Sequence, residues 1–222
     1  MSQPKVRKTD GADALGPRTA QAYREVKRRI VDLELAPGAV FTEGEVAAEL
    51  GLSKTPVREA LARLQVESFV EVVGRSGYRV APVTVKLATD LFALRSLLEP
   101  EAAALAAGRA HDRADLARLR RLARSGTNAE FHLAVARAGA NAKLADVLEN
   151  VLDHLSRLDA IARALGSEGA DRGHADLVHA IAQGDTAAAR AAAHAHVEAS
   201  HQRILAALLA STSVATTEVT TP

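Results

Sequence analysis

Residues 42–80, TEGEVAAELGLSKTPVREALARLQVESFVEVVGRSGYRV, decide how this chain is read. Thr42-Glu43-Gly44-Glu45 has the capping-box spacing, in which the Thr42 hydroxyl and the Glu45 carboxylate satisfy each other's backbone donors. A short helix from Glu43 to Leu50 follows, with Gly51 free to take the left-handed conformation that ends it. Leu52-Ser53-Lys54-Thr55-Pro56 then turns tightly and opens another helix, with Ser53 or Thr55 as cap and Pro56 in the first turn. Two short helices across such a turn form a helix-turn-helix. On the second, Val57, Ala60, Leu61 and Leu64 share one stripe, which leaves Lys54, Thr55, Arg58 and Glu59 near the N-terminal tip for solvent or a ligand. Two β-prone runs, residues 69–73 and 78–81, flank Gly74-Arg75-Ser76-Gly77 and predict a hairpin wing.

Upstream, a helix is expected from Ala20 to Leu35, with Ala22, Val26, Ile30 and Leu33 on one side and Pro37-Gly38 as the stop. Residues 1–17 are polar, contain Gly and Pro and lack periodicity, so they read as a flexible basic tail. Downstream of Pro82, residues 85–210 run at helical period, and residues 211–222, STSVATTEVTTP, read as a second flexible tail. The expected organisation is a DNA-binding domain over 18–82 and an all-helical domain over 85–210.

With 222 residues, 48% of them hydrophobic, two small cores fit; Ala, Leu and Val dominate and aromatics are 3%, which favours helices. The fold class expected is mainly α, with an antiparallel helical bundle at the C-terminal end. No cysteine occurs, so disulfides and thiolate metal sites are excluded. A net charge of +1 gives no global argument for nucleic acid, so that argument rests on the local motif. No signal-peptide core and no membrane-spanning stretch are visible, which points to the cytoplasm and to no membrane partner.

The 42–80 stretch resembles the GntR family of bacterial regulators, densely and in order from the helix before Pro37-Gly38 through the wing. The resemblance implies a homodimeric winged helix-turn-helix on double-stranded operator DNA with an inverted repeat, the second helix in the major groove and the wing tip in the minor groove. Matched by position, Lys54, Thr55 and Arg58, with Ser53 beside them, fall on the family's recognition-helix contacts, and Gly77 on the wing-tip glycine. Arg58 is the leading base reader, because its planar fork can donate twice to guanine O6 and N7. Lys54 stands where the family usually has arginine, and Gly44 where an arginine often touches DNA, so one contact is missing. Arg75 and Arg79 either reach phosphate or merely solubilise the hairpin.

In the second half, LFALRSLLEPEAAALAA (91–107), EFHLAVARAGANAKL (130–144) and GHADLVHAIAQGDTAAARAAAHAHV (173–197) resemble the FCD effector domain, partner of the FadR-type GntR subfamily. That resemblance implies a helical bundle around a pocket, often with a metal held by one Asp or Asn and three His. The spacing supports such a set. Asn128 and His132 are four apart and share a helix face. His174 and His196 are 22 apart and lie at comparable distances from the Gly184-Asp185 turn, so two antiparallel helices would set them level. His111, His154, His179, His194 and His201 share no such face and read as surface or ordinary packed side chains. Asn128, where the family usually has aspartate, leaves a divalent charge uncompensated, which either favours an anionic effector or, since an amide oxygen is a poorer ligand than a carboxylate, leaves the metal weakly held. Imidazole ligands favour zinc, with nickel the other fit. The interval from Gly108 to Asn128 is short, which suggests a trimmed helix. Arg95 and Glu99 form either an effector-binding or interface pair, or an exposed pair of small energy, about 0.3–0.5 kcal/mol.

These observations predict a transcription regulator, most simply a repressor, whose operator binding responds to a small carboxylate effector. Two other readings stand beside it. The helical domain serves only dimerisation around an empty pocket, or the histidines form a zinc hydrolase centre, against which no HExxH pattern occurs and no carboxylate is obviously assigned as general base.

Overall fold

Pro17 has no amide to donate and fits the first turn of a helix, where that donor would go unused; it opens α1 (Pro17–Val31) in the computed structural model. The structure describes residues 15–74, 77–109, 111–167 and 173–210. The chain divides into two units, residues 1–82 and 83–222.

In the first unit, α1 buries Ala22, Tyr23, Val26 and Ile30 and stops earlier than the apolar spacing suggests. Leu33 takes φ +62° and is half-buried, so it leaves the helical stripe. The stop is set by this left-handed residue before Pro37-Gly38 is reached. Next come β1 (Val40–Thr42), α2 (Glu43–Leu50) and α3 (Lys54–Val66). The capping box of α2 is closed: Glu45 N donates to Thr42 Oγ1 at 3.2 Å and Thr42 N donates to Glu45 Oε2 at 2.8 Å. Gly51, at φ +63°, ends α2 and turns the chain toward α3. Ser53 occupies the N-cap of α3 without a side-chain capping bond among the described residues.

Val57, Ala60, Leu61 and Leu64 are wholly buried along α3, against Val26 and Ile30 of α1 and Phe69. Each large apolar side chain so buried contributes about 1.5–3 kcal/mol. Across the α1–α3 seam, the Tyr23 hydroxyl donates to Glu67 at 2.6 Å, and Lys27 Nζ donates to the same carboxylate at 3.1 Å. The hairpin strands β2 (Val70–Val73) and β3 (Gly77–Val80) pair antiparallel, and β1 adds to the far side of β3, giving the order β1-β3-β2. The sequence reading did not anticipate β1: a three-residue strand has no periodicity of its own and exists through its pairing with Tyr78 and Arg79.

The second unit is helical: α4 (Val85–Ala107), α5 (Arg113–Ser125), α6 (Asn128–Ala138), α7 (Ala142–Ala164), α8 (His174–Gln183) and α9 (Thr186–Ala210). The short interval between Gly108 and Asn128 holds a helix, α5, capped by Asp112, whose carboxylate accepts from Asp115 N at 2.8 Å. Its Arg-rich sequence hides one amphipathic face that turns Leu116, Leu119 and Leu122 to the core. Helices α4 and α9 pack along each other, and their buried faces carry Ala103, Ala106 and Ala107, and Ala189 and Ala193, whose small side chains let two backbones approach closely. Helices α6 and α8 complete the core with Phe131, Val135, Leu177 and Ile181. Among the described residues, no helix is long and apolar enough to cross a membrane.

Candidate metal centre and nucleic-acid interface

Three helices of the second unit bring four polar side chains to one point. Asn128 is the first residue of α6, placed by a second capping box, in which Glu130 N donates to Thr127 Oγ1 at 3.2 Å and Thr127 N to Glu130 Oε2 at 2.8 Å. One turn on, His132 points the same way. His174 opens α8 after Gly173, whose φ of +116° suits glycine, and where a Cβ would meet His196 Nδ1 at 3.6 Å. His196 comes from the middle of α9.

His174 Nε2 stands 3.1 Å from Asn128 Oδ1 and 3.2 Å from His132 Nε2, and His196 Nε2 stands 3.3 Å from Asn128 Oδ1. The three histidines are buried, and their ligand atoms lie within 4.8 Å of one another. Donors about 2.0–2.1 Å from a tetrahedral zinc stand about 3.3 Å apart, so these separations suit one ion of that size with three nitrogens and one amide oxygen. Phe131 lies tilted against His174, with ring centroids 4.0 Å apart, and walls the cluster with apolar surface. Burial, followed by the neighbouring His132 and His196, pushes the His174 imidazole down to about 3, so it is neutral near pH 7 and keeps a lone pair.

Behind the cluster lies a carboxylate. Glu99 Oε2 stands 2.9 Å from His132 Nδ1, which fixes that nitrogen as the donor and turns Nε2 toward the other ligands. Glu99 is gripped in turn by one edge of the Arg95 guanidinium, through Nε and, at 3.2 Å, through Nη2; Arg95 Nη1 reaches Ser200 at 3.4 Å. Burial would raise the Glu99 pKa, but Arg95 and His132 outweigh it and hold the carboxyl well below its ordinary range. The exposed-pair reading of Arg95 and Glu99 is therefore corrected: Arg95 is wholly buried and Glu99 nearly so. Sequence reasoning saw the i,i+4 pair but missed its link to His132, because the spacing is the same on either face of a helix.

The remaining histidines stay apart from this cluster. His179 and His194 are exposed, His111 bonds the Ala106 carbonyl at 2.6 Å, and His201 stacks on Phe92. His154 is buried in α7 beside Arg157, another buried charge that the sequence reading passed over; burial pushes the Arg157 guanidinium down to about 10.

At the tip of α3, Ser53, Lys54, Thr55 and Arg58 are all exposed. Glu59 of the same tip is drawn to α1, where its carboxylate accepts from Thr19 at 2.8 Å. Arg58 is bound in two places by Glu43, Nε donating to Oε2 at 2.9 Å and Nη2 to Oε1 at 2.7 Å. Lys54 lies over Gly44, where a Cβ would sit 3.7 Å from its Cε, so the lysine stem covers the place that lacks a side chain. Gly77 opens β3 against the Val73 carbonyl, and any Cβ there would come within 2.7 Å of that oxygen. Arg79 is exposed and 4.0 Å from Glu71 across the hairpin. Arg75 lies outside the described residues.

A three-helix unit with a three-stranded wing, followed by an all-helical unit with a buried histidine cluster, defines a two-domain class of regulatory protein. The gntR family model of bacterial regulatory proteins matches residues 18–80, and the FCD domain model matches residues 90–199. A probable D-xylose utilization operon transcriptional repressor of Paenarthrobacter nicotinovorans is 31% identical over 175 residues, which cover 73% of this chain and 77% of that protein. The chain belongs to the gntR family and carries its FCD domain. An HTH-type transcriptional regulator of Streptomyces ambofaciens is 40% identical over 35% of this chain, and the Nta operon transcriptional regulator of Aminobacter aminovorans 39% identical over 37%. These two matches span only 33% and 39% of those relatives' own lengths. Among solved structures, E. coli McbR/YncC superposes with a TM-score of 0.72 at 21% identity, over 86% of this chain and 98% of that one. A GntR-type regulator from Rhodococcus sp. RHA1 gives 0.65 at 21% identity, over 86% and 99%. Both likenesses are of fold.

Proposed function

We propose that the chain is a cytoplasmic transcription regulator that binds an inverted-repeat operator as a homodimer, acts as a repressor, and is released or retained by a small carboxylate effector. The observation that carries this reading is the cluster of buried His132, His174 and His196 with half-buried Asn128, in the second domain of a chain whose first domain is a winged helix-turn-helix. Ser53, Lys54, Thr55 and Arg58 would face the major groove, with Arg75 and Gly77 at the wing. The repressor direction follows the Paenarthrobacter relative, which is named as one.

The donor set suits zinc, and nickel next, since neutral imidazoles prefer these ions to magnesium or calcium. With an amide in place of a carboxylate, none of the four donors carries charge, and the Glu99 carboxylate stands behind His132. The bound ion would keep most of its charge for an effector carboxylate. Arg95, already engaged by Glu99, serves effector binding by holding that carboxylate rather than by touching the ligand. Coupling to DNA requires only that the effector favour one arrangement of the dimer over the other.

The test is elemental analysis of protein purified without chelator, then thermal-shift screening of organic acids and gel shifts on an operator selected from random DNA. One metal per chain, lost in His174→Ala, with an acid that changes operator binding, is the expected result. Operator binding with no metal and no acid response would leave the helical domain as a dimerisation element.

A further inference from the structure

An arginine offers two forks of donors: a side-on fork from Nε and Nη2, and an end-on fork from Nη1 and the second Nη2 hydrogen. In Arg58 the side-on fork is taken by Glu43, at 2.9 and 2.7 Å, while Nη1 has no hydrogen-bond partner among the described residues. The two partners differ in freedom. The Glu43 side chain is 11% exposed and the Arg58 side chain 64%, so a sheltered carboxylate holds a projecting guanidinium. Glu43 is itself fixed, as the first residue of α2, directly after the capping Thr42 and on a helix whose Val46 and Ala47 are buried in the core. Lys54 also lies close enough for its charge to act on this carboxylate, which Arg58 first and Lys54 after it hold below its ordinary pKa.

We propose that Glu43 is a positioning residue for base reading: by occupying the side-on fork it aims the end-on fork of Arg58 outward from α3, where paired acceptors such as guanine O6 and N7 match it. This rests on the operator-binding reading above. A guanidinium fixed in advance loses less freedom on binding than a mobile one, so the gain falls on the correct base pair. The same carboxylate repels phosphate and weakens binding to every DNA. Glu43 thus trades general affinity for discrimination, a signature that a purely structural acid would not give.

The experiment uses the full chain. Selection from random-sequence duplexes gives the operator, and dissociation constants at one salt concentration are then measured for the operator, its single-base variants and a random duplex. Glu43→Gln is expected to tighten random binding about two- to threefold and to lower the operator-to-random ratio about tenfold. The loss is confined to the base pair whose preference Arg58→Ala also removes, and the double variant discriminates no worse than Arg58→Ala alone. Glu43→Asp keeps the charge on a shorter arm and gives an intermediate ratio, which also covers a glutamine variant that fails to fold. Glu49→Gln removes an acid from the same helix, one paired with Arg29 instead, and leaves the ratio unchanged. An unchanged ratio in Glu43→Gln overturns the proposal while leaving operator binding intact. So does tighter operator binding in equal measure, which would mean that Glu43 holds Arg58 away from DNA, and so does a loss spread over all base pairs. A wild-type chain with no sequence preference overturns the operator reading and this role with it.

Discussion

Glu99 and Asn128 bear on the same candidate centre in different ways. Asn128 brings an oxygen without charge, while Glu99 brings charge without contact, through the His132 imidazole 2.9 Å away. Removing a carboxylate that orients a ligating histidine costs about ten- to a hundredfold in metal affinity. Glu99→Gln is expected to lose metal by that factor in chelator competition, with secondary structure retained by circular dichroism. Asn128→Asp is expected to move affinity the other way, because the added charge falls directly on the ion. Equal affinity for wild type and both variants would show that the ion, if bound, sits elsewhere. At this scale the sequence is most legible where chemistry is local and periodic. Four-residue spacing sets Asn128 under His132, and comparable distances from Gly184-Asp185 set His174 level with His196. It is least legible for Glu43 and Glu99, whose roles depend on partners brought near by folding: Arg58 is 15 residues from Glu43, and His132 belongs to another helix.

Among the elements, α1 and α3 are joined by the apolar seam and by the Tyr23–Glu67–Lys27 contacts, with Arg63 pairing the same carboxylate at 2.6 Å. Burial would raise the Glu67 pKa, yet Tyr23, Arg63 and Lys27 together bring it below its ordinary value. A depressed carboxyl stabilises fully above the unfolded value, about pH 4.3, and that stabilisation is lost as pH falls from there through the folded value. Tyr23 behaves in the opposite sense. Burial pushes it up to about 12, so its contribution is complete below its ordinary pKa and fades in alkali. Glu67→Gln is expected to cost about 1–3 kcal/mol near pH 7 and to flatten the acid limb of a denaturation series. An acid limb as steep as that of the wild type would assign the effect to other carboxylates. The elements themselves are legible in proportion to their locality. Caps and turn residues announce α2 and α3, whereas β1 depends on β3, and the end of α1 depends on Leu33 taking a backbone that its side chain does not favour.

On the scale of the whole molecule, two separate cores predict two responses. The first unit holds its own apolar cluster from Ala20 to Val80, and the histidine cluster lies wholly in the second. A ligand that binds only the native state stabilises by about 2.7 kcal/mol at a hundredfold excess over its dissociation constant. Titrating zinc into chelator-treated protein is therefore expected to raise the unfolding transition of the helical unit, followed through that unit's amide exchange, while amides of α1–α3 keep their exchange rates. Equal protection in both units would mean that they unfold as one. The two capping boxes have a bearing on how these roles can be separated genetically. In each unit the residue directly after the capping threonine, Glu43 after Thr42 and Asn128 after Thr127, is the one that faces the candidate site. A fault in either cap loosens that residue before it unfolds a core. Under the proposed function, Thr42 and Thr127 are thus the natural places for mild alleles of different phenotype, one weakened in operator reading and the other in effector response.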